Sequence, residues 1–179
     1  MKTLAAIAVV SSLAAARAAS FSCETKVAAP AYVRPEGITE LMADILLDCD
    51  GEVPAAGIRA NVDLFFNTNA IGSTAEGPPL LLAGSGAGGW RNGSNLFYGA
   101  PAGINLLRWA ALPLAPAGTR GPYPFRFANL RLNASMLGQS ASIRPSTILF
   151  YLQIEGVEIR SPQRLIAVLT PPTTVRVLA

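Results

Sequence analysis

The segment 34–49 constrains the fold most, because its side chains alternate in character along a run that ends at one of only two cysteines. One side of an extended chain would carry Thr39, Leu41, Ala43, Ile45, Leu47 and Cys49. The other side would carry Glu40, Met42, Asp44, Leu46 and Asp48. A period of two residues predicts a β-strand whose more apolar side faces a core.

The first residues have the layout of a secretory signal peptide. Lys2 precedes an apolar run over residues 4–16, and small residues follow up to Ser20. The run is too short to span a bilayer as a permanent helix. Cleavage after Ala18 would remove residues 1–18 and leave residues 19–179 as one domain of about 160 residues. We therefore predict an exported protein, secreted or held at the cell surface, with no transmembrane segment in the mature chain.

The two cysteines are expected to form a disulfide. In an exported chain, Cys23 and Cys49 most simply pair with each other, which ties the mature N-terminus to the end of the alternating strand. A bridge that closes a loop of this length stabilises the fold by about 3 kcal/mol through the entropy of the unfolded chain. The competing interpretation is two separate thiols that pair between molecules.

Charge is unevenly distributed along a nearly neutral mature chain. Without Lys2 and Arg17, 12 basic residues face 11 acidic ones, so we predict no nucleic-acid partner. Residues 19–63 hold three basic and eight acidic side chains, whereas residues 64–179 hold nine and three. Either strands of opposite charge lie side by side in one sheet, or an acidic and a basic face attract each other between molecules.

Short apolar segments bounded by Gly, Pro, Asn or Ser follow one another through the rest of the chain. Val62, Leu64 and Phe66 share one side of a strand that could pair with the alternating strand as a hairpin. Further strands are predicted at 95–99, 104–111, 125–132, 148–154, 165–169 and 175–178, with a leading edge strand in 21–33. The strand 148–154 is expected to be central, and residues 72–89 are expected to form a long surface loop.

About nine short strands without a long segment of helical period predict an all-β fold. We expect a single antiparallel β-sandwich, Ig-like with Greek-key connections. A closed barrel is the alternative.

Three stretches of this sequence support a resemblance. They are RPEGITELMADILLDC from residue 34, FFNTN from residue 65 and NLRLNAS from residue 129. In this order they resemble a family of uncharacterised secreted bacterial proteins that repeat R-x-E-G-x-T-E…D-I-x-L-x-C, F-L-N-T-N and N-I-R-x-N-A-S stretches. The sequence departs from these patterns at Ala43, Leu130 and Leu132. The resemblance covers most of the mature chain and implies export, but it implies no activity.

Several classes of catalytic site are excluded by composition. The chain has no histidine, which excludes Ser-His-Asp and Cys-His catalysis and imidazole zinc sites. Two cysteines cannot form a four-thiolate metal site. The glycine-rich segment 84–89 lacks the Gly-Lys-Ser/Thr ending of a phosphate-binding loop, and no helical pattern follows it. We predict no cofactor and no enzymatic activity.

Three weaker candidate sites remain in the sequence. Asp48, Asp50 and Glu52, with Asp44 earlier in the strand, offer hard oxygen ligands for calcium, although a solvated turn also explains them. Glu40 and Asp44 are a candidate carboxylate pair for glycoside hydrolysis, with an exposed strand face as the simpler explanation. The aromatic candidates for a carbohydrate platform are Trp90, Tyr98, Trp109 and Tyr123, although a core also needs such residues.

The function predicted from these observations is a secreted, non-enzymatic structural or interaction domain. A carbohydrate-binding module and a secreted hydrolase that uses carboxylates are the alternatives. Self-association through edge strands in 21–33 and 175–178 is also possible, because such edges present unpaired backbone groups. Prolines blunt these edges at Pro30, Pro35, Pro171 and Pro172.

Overall fold

The computed structural model describes residues 21–138 and 145–170, and over these residues the protein is built of β-strands and one short 3₁₀ helix, Ala134–Leu137. In chain order the described strands are β1 (Ser22–Val27), β2 (Ala31–Val33), β3 (Glu40–Leu41), β4 (Ile45–Asp50), β5 (Ile58–Phe66), β6 (Ala70–Ile71), β7 (Leu80–Ala83), β8 (Leu96–Tyr98), β9 (Ala100–Gly103), β10 (Leu106–Ala115), β11 (Tyr123–Ala128), β12 (Arg131–Leu132), β13 (Thr147–Ile154), β14 (Glu158–Arg160) and β15 (Gln163–Leu169). The all-β prediction is confirmed. The predicted signal peptide and the predicted strand 175–178 lie outside the described residues.

Two large sheets form the body of the protein. The first sheet has the order β14-β1-β4-β11-β7-β8, and the second has the order β2-β15-β13-β5-β10-β9. A small sheet, β3-β12-β6, completes the fold. No helix in the described part of the chain is long and apolar enough to cross a membrane.

The inner sides of both sheets share one apolar core. Leu47 and Phe127 reach it from the first sheet, and Leu64 and Phe150 reach it from the second. Trp109 of β10 meets Phe127 of β11 edge to face, with ring centroids 5.1 Å apart, so the two layers interlock through aromatic side chains. Two sheets that share one core agree with the predicted sandwich, but the described residues form fifteen strands and not about nine, because several predicted strands are divided and short ones were missed.

Two of the predicted strands are confirmed in detail. Val62, Leu64 and Phe66 are buried on one side of β5, as their alternation predicts. Strand β13 lies between β15 and β5, and it is therefore central in its sheet as expected.

The prediction of one long alternating strand within residues 34–49 is wrong for its first half. The chain leaves the small sheet after Leu41 and enters the first sheet at Ile45, so no strand covers residues 42–44. Met42 is buried and its N–H donates to the carbonyl of Leu130, whereas Leu41 is 50% exposed. The side of the chain that faces the core therefore changes at this crossing, and only the part that ends at Cys49 follows the predicted pattern.

Two predicted local arrangements are also wrong. Strands β4 and β5 do not pair as a hairpin, because the connection between them carries the chain from the first sheet to the second. The segment 72–89 is not simply a surface loop, since it contains β7. Leu81 of β7 is fully buried opposite Phe127, and this inner position explains why three leucines interrupt a glycine-rich segment.

The sheets are not purely antiparallel. Strand β1 pairs in parallel with β14, and β2 pairs in parallel with β15. As a result β1 lies inside the first sheet, and within the predicted leading edge only β2 is an edge strand. The predicted strand 125–132 is also divided, because Asn129 adopts a positive φ of 52° between β11 and β12.

Candidate functional site

The predicted disulfide is present in the first sheet. Cys23 of β1 and Cys49 of β4 face each other in the antiparallel register, and they are bonded and fully buried. The bridge therefore lies in the core under neighbouring strands, where it has a structural role.

The structure does not gather the calcium candidates into a site. Asp48 lies 2.9 Å from the ammonium group of Lys26, and this hydrogen bond raises the pKa of Lys26 above its ordinary value of 10.5. Asp50 accepts a hydrogen bond from the backbone N–H of Gly51, and Glu52 lies beyond the strand, opposite Arg120. Among the described residues, no group of three or more His, Cys, Asp or Glu side chains is placed to hold a metal ion.

The two carboxylates proposed for hydrolysis lie in separate surroundings. Glu40 accepts hydrogen bonds from Nε and Nη2 of Arg34 at 3.0 and 2.8 Å. Asp44 follows the crossing between sheets and lies 3.7 Å from Arg126 of the first sheet. Because the chain does not continue as one strand from Glu40 to Asp44, the predicted common strand face does not form.

The four aromatic residues proposed as a platform do not share a surface. Trp109 is only 1% exposed, and its indole N–H donates to the carbonyl of Phe97 inside the protein. Tyr123 is half-buried against Phe21, with ring centroids 5.9 Å apart. Trp90 and Tyr98 are exposed, but without Trp109 the predicted platform is wrong.

The three stretches that carry the family resemblance meet around the small sheet. The N–H of Ser135 donates to the carbonyl of Gly37 at 3.2 Å, and the N–H of Asn133 donates to the carbonyl of Asn69 at 2.9 Å. The Cα of Gly37 lies close to the side chain of Glu40, since a Cβ at position 37 would be 2.1 Å from a carboxylate oxygen of Glu40. These residues therefore build the small sheet and its turns.

The outer side of the second sheet presents a surface that the sequence analysis missed. We define the apolar face as a set of outward side chains on four adjacent strands. Its members are Leu106, Phe65, Tyr151, Leu149 and Leu165. Phe65 is opposite Leu106 on one side and opposite Tyr151 on the other, and Leu149 is opposite Leu165. The apolar side chains therefore form two adjoining rows that run across the strands.

A shallow depression of about 240 Å³ lies on this face between β5, β13 and β15. Phe65, Asn67, Leu149, Tyr151 and Gln163 contribute to its lining. The rings of Phe65 and Tyr151 are tilted by 54° with centroids 6.4 Å apart, and Tyr151 is 46% exposed. Aromatic surface is thus accessible at the centre of the face.

An ion pair and two amide side chains border the apolar face. Arg108 binds Asp63 through two hydrogen bonds of 2.7 Å, and this pairing raises the pKa of Arg108 above its ordinary value. Gln163 is exposed opposite Tyr151 on β15, and Gln153 is exposed two residues further along β13. An apolar centre with a polar rim is the usual anatomy of an interaction surface.

One signal in the sequence pointed to this face. Both sides of the strand are apolar from Ile148 to Tyr151, and Phe65 lies between the buried residues Leu64 and Phe66. These strands therefore contain more apolar residues than a single buried side requires. Comparison of the chain with protein-family models, with curated proteins and with solved structures finds no match. The function is therefore argued from the described residues themselves.

Proposed function

We propose that the protein is an exported, non-enzymatic interaction domain that binds its partner through the apolar face. The observation that carries the proposal is the pair of apolar rows on the outer side of the second sheet, where Tyr151 is 46% exposed. Exposed apolar surface lowers the free energy of association when a partner removes it from water. The surrounding amides and the Asp63–Arg108 pair supply a polar rim that gives orientation.

Two observations support export. Residues 1–18 have the layout of a signal peptide, and the Cys23–Cys49 disulfide suits an oxidising compartment. The resemblance to secreted bacterial proteins agrees with both. Export is tested by N-terminal sequencing of protein recovered outside the cells, which we expect to begin near residue 19.

The non-enzymatic part of the proposal rests on the surroundings of the carboxylates. Glu40 and Asp44 each face an arginine, and they do not share a strand face. Screening the protein against neutral glycosides and esters should show no turnover. Turnover that is lost in Glu40→Gln or Asp44→Asn would establish the hydrolase alternative in its place.

The apolar face is tested with two matched tyrosines. Tyr151 is 46% exposed on this face, and Tyr98 is 50% exposed on β8, an edge strand of the first sheet. We expect the unaltered protein and Tyr98→Ser to sediment with washed envelopes of the producing cells, and Tyr151→Ser to remain largely in solution. Equal sedimentation of the three proteins, or no sedimentation of the unaltered protein, would contradict the proposal.

A further part of this proposal is that the protein self-associates through an edge strand. Within the predicted leading edge, β2 lies at the end of the second sheet, and Tyr32 in its centre is 79% exposed. Pairing of β2 between molecules would extend the second sheet. Light scattering across protein concentration tests this, because a monomeric mass at every concentration would exclude it.

A further inference from the structure

We propose that the apolar face binds a neutral glycan chain, with one sugar ring on Tyr151. The inference rests on the proposed function, because it names the partner of the same face.

Tyr151 provides an exposed aromatic ring on which a sugar ring can pack. The C–H faces of a pyranose ring are apolar and flat, and they pack well on an aromatic side chain that carries a polar tip. Tyr151 stands beside Phe65 and is 46% exposed, so its ring has a neighbour on one side and remains accessible on the other. Leu149 completes the apolar floor of the depression.

The amides next to Tyr151 provide hydrogen bonds for sugar hydroxyls. Gln163 is opposite Tyr151 on β15, and Gln153 follows two residues later on the same side of β13. Among the hydrogen bonds of the described residues, none engages the side chain of either glutamine, whereas Asn67 is held by Thr147 and Leu149. The glutamines can therefore donate to and accept from a ligand.

The charge of the face favours a neutral ligand. In the part of the chain that the structure describes, the two apolar rows carry no ionised side chain, and the adjoining Asp63 and Arg108 neutralise each other. The next carboxylate on this side, Glu155, accepts a hydrogen bond from the amide of Asn61 at 3.2 Å. A charged polysaccharide would find no counter-charge here and would lose hydration on binding. A neutral ligand meets no such cost.

The dimensions of the face argue against a second protein copy. The rectangle that contains both rows spans four adjacent strands and measures roughly 20 Å by 13 Å, so the apolar face covers at most roughly 260 Å² at ordinary strand and residue spacings. A stable protein interface buries about 800 Å² on each partner, of which roughly 450 Å² is apolar, so this face alone is too small to supply one. The depression of about 240 Å³ is also too small to enclose a drug-sized molecule, so it suits part of a chain that lies across the strands.

Affinity electrophoresis tests the inference with defined probes. The exported protein is run through gels that contain neutral polysaccharides (β-glucan, xylan, mannan) or charged ones (heparin, polygalacturonate). We expect retardation by at least one neutral polysaccharide that is insensitive to salt. Tyr151→Ala should weaken it about tenfold, whereas Tyr151→Phe and the matched control Tyr98→Ala should retain most of the affinity. Gln163→Ala should have an intermediate effect.

Each remaining outcome overturns a defined part of the argument. Binding only to charged polysaccharides, with loss in salt, overturns the inference of a neutral ligand. Tyr151-dependent sedimentation with envelopes that persists after their glycans are removed by oxidation overturns the glycan but leaves the proposed function. The absence of any Tyr151-dependent binding, in gels and to envelopes alike, overturns both. Circular dichroism of each variant confirms that it is folded.

Discussion

The outer sides of the two sheets differ sharply although their inner sides share one core. On the first sheet the outward residues of β1 and β4 include Glu24, Lys26 and Asp48, and Lys26 pairs with Asp48 at 2.9 Å. On the second sheet the corresponding central positions hold Phe65 and Tyr151. One outer surface is therefore ionic, and the other is largely apolar at its centre.

This difference indicates which outer surface is better suited to be covered by a partner. Covering the charged side chains of the first sheet removes their hydration, and exposed ion pairs return little free energy in exchange. Covering the apolar face releases water from surface that gains nothing from hydration. The first sheet is thus suited to remain in water, and the second is suited to meet a partner. Three further predictions test this contrast, in order of decreasing effect.

The largest expected effect concerns the inner side of the first sheet. Replacing both cysteines, as Cys23→Ala with Cys49→Ala, should lower the free energy of unfolding by about 3 kcal/mol, because the unfolded chain regains the entropy of an open loop. Equilibrium unfolding in urea measures this. The matched control Lys26→Ala with Asp48→Ala alters the outer side of the same two strands and should leave the unfolding midpoint nearly unchanged. An equal loss of unfolding free energy in the two variants would contradict the expected difference between the inner and outer sides of these strands.

A smaller effect is expected within the apolar face. The tilted rings of Phe65 and Tyr151 should be coupled by about 1 kcal/mol, as aromatic pairs commonly are. A double-mutant cycle with Phe65→Leu and Tyr151→Leu, measured by urea unfolding, isolates this coupling. Strictly additive effects would indicate that the two rings do not support each other, and the aromatic centre of the face would then lack a preorganised geometry.

The smallest effect concerns pH and the outer side of the first sheet. The hydrogen bond to Asp48 raises the pKa of Lys26 above 10.5 in the folded protein. The stabilisation is therefore fully present below the ordinary pKa and disappears as the pH rises through the folded pKa. Above pH 10.5, Lys26→Arg should retain a slightly higher thermal midpoint than the unaltered protein, since arginine stays charged. Identical alkaline profiles would show that the pair does not contribute.

Much of the fold was predictable because local patterns carry it. The alternation of β5 and β13 identified their buried sides, and the spacing of turn residues indicated many short strands. The interruption at residues 42–44 was not predictable from alternation, because the chain crosses between sheets there while its apolar pattern continues. The burial of Leu81 was missed for a similar reason, since glycine-rich flanks hid a strand that pairs with β11.

The candidate sites also divide into those that the sequence predicted and those that depend on contacts between distant segments. The cysteine pair was predicted correctly because a chain with two cysteines allows only one intramolecular bridge. Trp109 was a candidate for either a surface platform or the core. Its ring lies in the core against Phe127, and that contact joins residues from different sheets. The apolar face was missed because its residues are scattered over β5, β10, β13 and β15.

The sequence therefore specified the class of fold, the disulfide, the absence of imidazole chemistry and the inner side of the best strands. These properties depend on composition or on neighbours along the chain. Only the tertiary structure decided which sheet each strand enters, and hence what stands beside its outward residues. A period of two is the same whatever strands lie on either side, whereas the apolar face exists only because β13 pairs with β5 and places Tyr151 opposite Phe65.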